Sequence, residues 1–417
     1  MRCAVIALAA TCLTYAQQEP ISGSAALLAK IRSRMSENLS RLPNYTCAET
    51  TQRMRRKGRG RPFEPVDRVR LEVALVDGKE LFGWPGSNKI AEPDLSNLIG
   101  AGGAISNGSF ALLAKSVFLS NTAAFTFRGG TELNGSTAVR FDYEVAPAVS
   151  VYHLEVDGSD AVVGYHGSFW ANPDTLDLLR LEIRADHIPA GLGLESTRDA
   201  MDYARVRIGA GDFLLPKSSE LSMTATSGLE ERNHTDFEQC RQFSGESVLS
   251  FADPEEVKAE PAPPPVINVD LPADFQSDIV LNTRITSDSA VGDTVKAKLL
   301  HSIREHHKTV FAKGAILTGY ISQLHREDGG LYHIGISFTD VEYERRHADL
   351  SERQNALFLR AGLRELRPAS AMNALHRGFL HHAARAAGQI TVASEKALDL
   401  KPGFRMTLRS RLLQSGK

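Results

Sequence analysis

The stretch VVGYHGSFWANPDTLDLLRLEIRADHIP, residues 162–189, decides the fold of this chain. In its first half, Tyr165 and Phe169 fall on one side of an alternating pattern, and in its second half Leu179 and Ile183 alternate with charged residues. A period of two is typical of strands that bury one face. The Asn-Pro-Asp between the halves favours a turn, because proline fixes φ and the flanking side chains bond to nearby backbone. The stretch therefore predicts a long antiparallel hairpin with one apolar and one charged face.

Similar patterns along the chain predict a mainly β protein with minor α content. An N-terminal helix over 17–43 precedes a curved antiparallel sheet or half-barrel over 44–252. Residues 253–276 are rich in proline and acidic side chains and predict an extended linker. Beyond this linker, 277–417 predict a small β-barrel, and amphipathic spacing of leucines within it predicts a two-helix insertion over 348–388.

Length and charge allow several classes of partner. A chain of 417 residues with 42% hydrophobic content can bury two or three cores. The net charge of −2 is uneven, because residues 276–417 hold 21 Lys and Arg against 14 Asp and Glu. This basic part fits an anionic partner surface, and it equally fits a solvated face of mixed charge.

The first residues predict export. Arg2 is followed by an apolar run and then by the small residue Ala16, which is the pattern of a signal peptide over residues 1–16. Lipidation at Cys12 is left open. Since the rest of the chain has no apolar run of membrane-spanning length, we expect a mature chain without a transmembrane segment. The expected location is the periplasm or the extracellular space, including the periphery of the outer membrane.

Two cysteines lie outside the predicted signal peptide. Cys47 and Cys240 bracket the first predicted domain. An even cysteine count in an oxidising compartment favours a disulfide between them. Two buried free thiols are the alternative.

The sequence contains none of the common catalytic or metal-binding motifs, and we predict no catalytic residue, no metal site and no cofactor. His301 and His306 are five residues apart, which on a helix turns their imidazoles away from each other. The glycine-rich run at 100–103 lacks the spacing of a dinucleotide-binding loop.

Three aromatic residues are candidates for lining a ligand-binding concavity. Trp84, Tyr165 and Trp170 would reach such a concavity if the first sheet curves around one. Aromatic residues in such positions more often serve simply as core or rim residues of the sheet.

The first predicted domain resembles a family of uncharacterised exported proteins from soil bacteria of the acidobacterial type. The resemblance covers about residues 40–252 and rests on LPNYTC at 42–47, GWPG at 83–86, GSFW at 167–170 and FEQCR at 237–241. It implies export and brings no activity with it.

The C-terminal part is similar to the β-barrel domain of conjugation-channel proteins of the TrbI type. This similarity covers residues 285–319, with AVGD at 290–293 and AKGA at 312–315. It implies a shared barrel architecture. The long strands of the first domain are also similar, in architecture only, to the half-barrel of periplasmic lipoprotein carriers.

We therefore predict an exported, non-enzymatic, envelope-associated binding or scaffold protein. Its partner would be an envelope component or an apolar ligand, and no nucleic acid is expected. One alternative is a periplasmic carrier of a lipid or other apolar ligand. Another is a hydrolase of unfamiliar type with its site under the loop Gly100–Gly108, which a cluster of perturbed acids at that loop would favour.

Overall fold

The protein is mainly β with minor α content. Its computed structural model describes the following residues: 23–86, 90, 92, 95, 98, 99, 104, 110–156, 159–243, 267–272, 274–327, 331–350, 357–361, 388–393 and 397–410. The predicted signal peptide at 1–16, with Cys12, lies outside these residues. Within them, neither helix is long and apolar enough to cross a membrane.

The first sheet is antiparallel throughout and has eleven strands. Its order is β3-β2-β1-β11-β10-β9-β8-β7-β5-β4, and β6 pairs with the outer part of β7. The strands are β1 Tyr45–Lys57, β2 Glu64–Val76, β3 Lys79–Gly83, β4 Ala124–Leu133, β5 Ser136–Val145, β6 Tyr152–Val156, β7 Ser159–Ala171, β8 Leu178–Asp186, β9 Leu194–Ile208, β10 Gly211–Ala225 and β11 Leu229–Gln242.

The predicted central hairpin is confirmed as β7 and β8. Asn172 closes its turn, because its Oδ1 accepts hydrogen bonds from the backbone N–H groups of two consecutive residues, Asp174 and Thr175, both at 2.9 Å. The register shifts between Trp170 and its neighbour Ala171. The alternation had predicted that Leu179 is buried at the start of β8. Because of the register shift, Leu178 is buried there instead.

Two helices pack on the apolar face of the first sheet. They are α1 Gly23–Ser40 and α2 Leu112–Phe118, and α1 confirms the helix predicted for the N-terminal region. Ile31 and Met35 of α1 are buried against this face. Phe118 of α2 meets Phe169 of β7 edge to face, with ring centroids 5.1 Å apart. One apolar core therefore fills the space between the helices and the sheet.

The second sheet has nine strands in the order β12-β20-β19-β18-β15-β13-β24-β21, with β22 also paired to β19. The remaining strands form two short two-stranded pairs. The strands of this part are β12 Ile267–Asn268, β13 Phe275–Leu281, β14 Ile285–Thr286, β15 Thr294–Leu299, β16 Ile303–Glu305, β17 Lys308–Phe311, β18 Ile316–Glu327, β19 Leu331–Tyr343, β20 Arg346–Asp349, β21 Leu357–Ala361, β22 Gln389–Ala393, β23 Asp399–Leu400 and β24 Arg405–Ser410.

The C-terminal part, predicted as a small β-barrel, is β as expected, but its sheet is not closed among the strands that the structure describes. Their ladders form an open sheet that ends at β12 and β21. A backbone hydrogen bond of 2.8 Å, from Gly388 N–H to Leu357 O, links β21 to the residue before β22. Alternation of apolar residues determines which face of a strand is buried, but closure depends on strand tilt and stagger, which alternation does not specify.

The predicted helical insertion at 348–388 is wrong in the parts that are described. Residues 348–349 end β20, and Leu357–Ala361 form β21. Leu357, which we had placed with Leu350 and Leu363 on one face of a helix, is buried together with Leu359, and this spacing of two is the period of a strand. Residues 351–356 and 362–387 lie outside the described part.

The end of the predicted linker belongs to the second sheet. Ile267–Asn268 pair in parallel with β20, and Val269 N–H donates to His347 O at 2.9 Å. Leu271 and Phe275 are buried. Residues 253–266 of the linker are not among those described.

The two sheets share one hydrophobic core and a short backbone junction. The loop before β15 pairs with the outer edge of β2, where Arg70 N–H donates to Val291 O at 2.7 Å and Val291 N–H donates to Arg68 O at 2.8 Å. On the other side of the loop, Gly292 N–H donates to Ile321 O at 2.7 Å. The loop therefore covers an edge that would otherwise present unpaired backbone groups.

Candidate functional site

A groove runs over the face of the first sheet that points away from the two helices. It has a volume of about 770 Å³ and is formed by side chains of β4, β5, β7, β8 and β9. Successive residues of a strand point to opposite faces, so the charged face of the central hairpin forms the floor of this groove. The charged and aromatic side chains that the argument below uses are Arg128, Arg140, Asp142, Glu144, His166, Trp170, Glu182, Arg184 and Arg198.

Asp142 is the first of two acidic centres in the groove. It accepts hydrogen bonds from Ser168 Oγ at 2.7 Å, from Arg128 Nε at 2.7 Å and from Arg140 Nε at 2.9 Å. Partial burial acts to raise the pKa of Asp142, but these three hydrogen bonds and the charge of Arg140 outweigh it, so the pKa lies below its usual value. The carboxylate is therefore ionised at neutral pH.

Glu182 is the second acidic centre, on the neighbouring strand pair. Arg198 donates to it from Nη2 at 2.6 Å and from Nε at 3.2 Å, and Arg180 donates from Nε at 3.0 Å. Desolvation acts to raise the pKa of Glu182, and the hydrogen bonds and charges of the two arginines lower it by more. This carboxylate is ionised as well.

The sheet register brings basic side chains together at one end of the groove. His166 of β7 pairs with Arg184 of β8, and Arg184 pairs with Arg198 of β9. Arg184 approaches Glu182 only to 3.7 Å, which is longer than a hydrogen bond. Its guanidinium therefore keeps donor capacity directed at solvent in the groove, and its side chain is 49% exposed.

The three aromatic residues proposed from the sequence do not share one concavity. Trp170 lines the groove, with the guanidinium carbon of Arg140 5.4 Å from its ring centroid. Tyr165 lies on the opposite, buried face of the sheet, where its hydroxyl donates to Ser116 Oγ at 3.2 Å. Trp84 stacks on Tyr320 of the second sheet at 4.4 Å, so it lies at the junction between the sheets.

Sequence reasoning missed the arginines and carboxylates of the groove as site residues. The available signal was the alternation of charges in the central hairpin, which we interpreted only as the charged face of a sheet. Arg128 and Asp142 are 14 residues apart, and Arg180 and Asp202 are 22 apart, yet each pair is joined by a hydrogen bond. Such pairs become visible only when the strand order and register are known.

The disulfide predicted from the cysteine count is present between Cys47 and Cys240. It joins β1 to β11, two strands that are already hydrogen-bonded neighbours. Within the described part of the chain, no group of three or more His, Cys, Asp or Glu side chains could hold a metal ion.

Only Ala104 of the glycine-rich loop at 100–108 is described. It is buried, and its carbonyl accepts a hydrogen bond from Asn233 Nδ2 at 2.5 Å. Burial raises the pKa of the nearby Glu231, opposed by a backbone hydrogen bond from Ala104. On the neighbouring strand, burial together with the charge of Glu80 raises the pKa of Glu49 to about 8. Perturbed acids do therefore lie on this side of the sheet.

Comparison with known proteins assigns no family to this chain, since no family model and no curated protein matches it. A putative outer membrane lipoprotein-sorting protein domain from Vibrio parahaemolyticus is similar at 13% identity and a TM-score of 0.30, over 53% of this chain and 93% of that one. A DUF1329 family protein from Desulfovibrio piger is similar at 10% identity and a TM-score of 0.30, over 53% and 94%. ComB10 of the Com type IV secretion system of Helicobacter pylori has 16% identity and a TM-score of 0.21, over 33% and 85%. Similarities this low transfer no function to this chain.

Proposed function

We propose that this chain is an exported, non-enzymatic, envelope-associated binding protein, and that the groove on the outer face of the first sheet is its ligand site. The observation that carries the proposal is the groove itself, an open concavity of about 770 Å³ in which the side chains of Arg128, Arg140 and Arg184 remain partly exposed. Concave surfaces with a few convergent polar groups are the usual form of ligand sites.

The electrostatics of the groove favour binding over catalysis. General acid–base chemistry with two carboxylates needs one of them protonated near neutral pH. Arginine donors at both carboxylates, and Ser168 at Asp142, hold the pKa of Asp142 and of Glu182 below the usual range despite partial burial. Both acids therefore act as fixed hydrogen-bond acceptors, which suits recognition.

The disulfide supports export to the periplasm or beyond the cell. Bridges such as Cys47–Cys240 persist in oxidising compartments and are rare in the cytosol. A partner in the cell envelope follows from that location.

A substitution that fills the groove tests the proposal. Thr126 lines the groove on β4 and is exposed, and Thr131 is an exposed residue of the same strand that does not line it. We expect the mature chain and its Thr131→Trp variant to co-sediment with polysaccharide-containing envelope material of a Gram-negative bacterium. The Thr126→Trp variant should co-sediment at least about fivefold less. Equal sedimentation of both variants would exclude the groove as the ligand site.

A second candidate function, the periplasmic carrier of a lipid or other apolar ligand, is favoured by the apolar face beneath α1 and α2. If α1 moved, the space occupied by Ile31 and Met35 could accept an acyl chain. Asn38 holds α1 in place, because its side-chain amide exchanges hydrogen bonds of 2.9 and 3.0 Å with the backbone of Leu214.

Uptake of a fluorescent fatty acid separates the carrier from the first proposal. A carrier should take up the probe, and Asn38→Ala should accelerate uptake because it loosens α1. The matched control is Arg41→Ala, which removes an ion pair to Glu37 at the C-terminal end of α1 and leaves the contact between α1 and the sheet intact. If neither the wild type nor Asn38→Ala takes up the probe, the carrier function is excluded.

A further inference from the structure

The lining of the groove alternates hydrogen-bond donors with acceptors. Asp142, Ser168 and Glu182 lie side by side on three adjacent strands, and arginines flank them in the rows on either side. A ligand rich in hydroxyl groups matches such a lining, because each hydroxyl both donates and accepts. An acyl chain does not match it, since it would leave these polar groups without water or partners.

The basic row at one end of the groove calls for a negative charge on the ligand. Arg184 and Arg198 are directly opposite each other on β8 and β9, an arrangement of like charges that is unfavourable in an antiparallel sheet. Glu182 accepts a hydrogen bond of 2.6 Å from Arg198 and so balances the charge of this arginine. Its distance to Arg184 is 3.7 Å, too long for a hydrogen bond. A carboxylate or similar oxyanion seated between the two guanidinium groups would complete the pairing.

An aromatic ring lies at the other end of the groove. Trp170 and His166 are four residues apart on β7, so the ring is about 13 Å from the basic row along the strand. The indole offers a flat apolar surface on which the C–H face of a sugar ring can pack. Arg140 beside it provides donors for the ring hydroxyls.

The charge balance limits how anionic the ligand can be. Four arginines and three carboxylates line the groove. A polyphosphate such as a nucleic acid strand would place several negative charges against Asp142, Glu144 and Glu182. One oxyanion among many hydroxyls fits this balance better.

We infer that the groove binds an acidic oligosaccharide, with its oxyanion between Arg184 and Arg198 and a sugar ring on Trp170. This inference rests on the proposed function and names the ligand class of the same groove. The length between the two ends suits a short stretch of a sugar chain and not a monosaccharide.

Isothermal titration of the full mature chain tests the inference. The probes are a galacturonic acid trimer, the matching neutral galactose trimer and a short thymidine oligonucleotide, each at low ionic strength and again near 0.15 M salt, where the Debye length is about 8 Å. We expect the acidic trimer to bind at least about tenfold more tightly than the other two probes. Added salt should weaken the acidic trimer without abolishing its binding.

Three variants assign the contacts. Arg184→Gln should weaken binding of the acidic trimer about tenfold and leave binding of the neutral trimer unchanged. Trp170→Leu should weaken both trimers. Arg59→Gln is the control, because Arg59 is 80% exposed on the turn between β1 and β2 and does not line the groove, and its affinity for both trimers should stay within about twofold of the wild type.

The outcomes separate this inference from the proposed function. If the neutral trimer or the oligonucleotide binds as tightly as the acidic trimer, or if Arg184→Gln has no effect on binding, the inference that the ligand is an acidic oligosaccharide is wrong. The groove would still be the ligand site provided that Thr126→Trp reduces co-sedimentation with envelope material at least about fivefold. If Thr126→Trp leaves that binding intact, the proposed function and this inference both fail.

Discussion

Gly292 lies directly against the carbonyl oxygen of Arg70, at the point where the two sheets meet. A Cβ on Gly292 would overlap this oxygen, and the backbone of Gly292 has a φ of +96°. Both facts require glycine here, the first through space and the second through conformation. The contact also places Arg70 next to Asp293, with which it forms an ion pair. The AVGD motif at 290–293, which we quoted for its resemblance to a channel family, is therefore the loop that joins the sheets.

Gly292→Ala should separate the sheets from each other. We expect a loss of at least about 2 kcal/mol in the free energy of unfolding, because a Cβ forces the loop away from β2 in addition to straining the backbone. Gly403→Ala is the matched control: Gly403 has a φ of +100°, and a Cβ there meets nothing within 4 Å. Urea unfolding should show a loss of about 1 kcal/mol for Gly403→Ala. Equal losses for the two variants would mean that the close approach to Arg70 contributes nothing.

Trp84 and Tyr320 should be energetically coupled across the junction. Their rings stack with centroids 4.4 Å apart, and such pairs contribute about 1 kcal/mol beyond the area they bury. A double-mutant cycle with Trp84→Leu and Tyr320→Leu, measured by urea unfolding, should give a coupling energy of that size. The cycle of Trp170→Leu with Tyr320→Leu is the control and should give none. A coupling near zero for Trp84 and Tyr320 would contradict an energetic role of the stack.

Reduction of the Cys47–Cys240 disulfide should destabilise the first sheet. The two cysteines are 193 residues apart in sequence, and the chain-entropy model assigns roughly 5 kcal/mol to closing a loop of that length. We expect the free energy of unfolding to fall by a large part of this amount in the presence of a reductant. The double variant Cys47→Ala/Cys240→Ala should be equally unstable with and without reductant. If the wild type is indifferent to the reductant, the bridge does not contribute to stability.

The elements predicted correctly from the sequence are those that depend on local pattern or on compartment. The central hairpin follows from alternation around Asn172, and α1 follows from an apolar stripe on a helical period. The disulfide follows from export and an even cysteine count. Each of these inferences needs only neighbours in sequence or a property of the whole chain.

The elements missed from the sequence depend on register and long-range pairing. Leu357 fits a helical stripe when it is compared with distant leucines, and its burial in β21 arises from pairing with β24. Arg184 and Arg198 meet at one end of the groove because the register of their strands places them opposite each other. Trp84 was expected near Trp170, but the second sheet supplies Tyr320 and holds Trp84 at the junction. None of these relationships has a local signature.

Glu49 should make the stability of this protein fall as the pH rises. Burial, together with the charge of Glu80, raises the pKa of Glu49 to about 8, compared with 4.5 for an ordinary glutamate. Between these two pH values the unfolded chain has released the proton and the folded chain still holds it, so the free energy of unfolding decreases with increasing pH. Below the pKa of Glu49 in the unfolded chain, no free energy of unfolding is lost. At pH 7 the loss amounts to on the order of 3 kcal/mol.

Glu49→Gln isolates this effect, because glutamine is neutral at every pH and nearly the same size. Urea unfolding at pH 5 and pH 8 should show a much smaller difference for this variant than for the wild type. Glu37→Gln is the control, since Glu37 is about half exposed on α1, and its variant should keep the pH dependence of the wild type. If Glu49→Gln loses stability between pH 5 and pH 8 as steeply as the wild type does, the pH dependence arises elsewhere and the pKa of Glu49 is not raised in the folded protein.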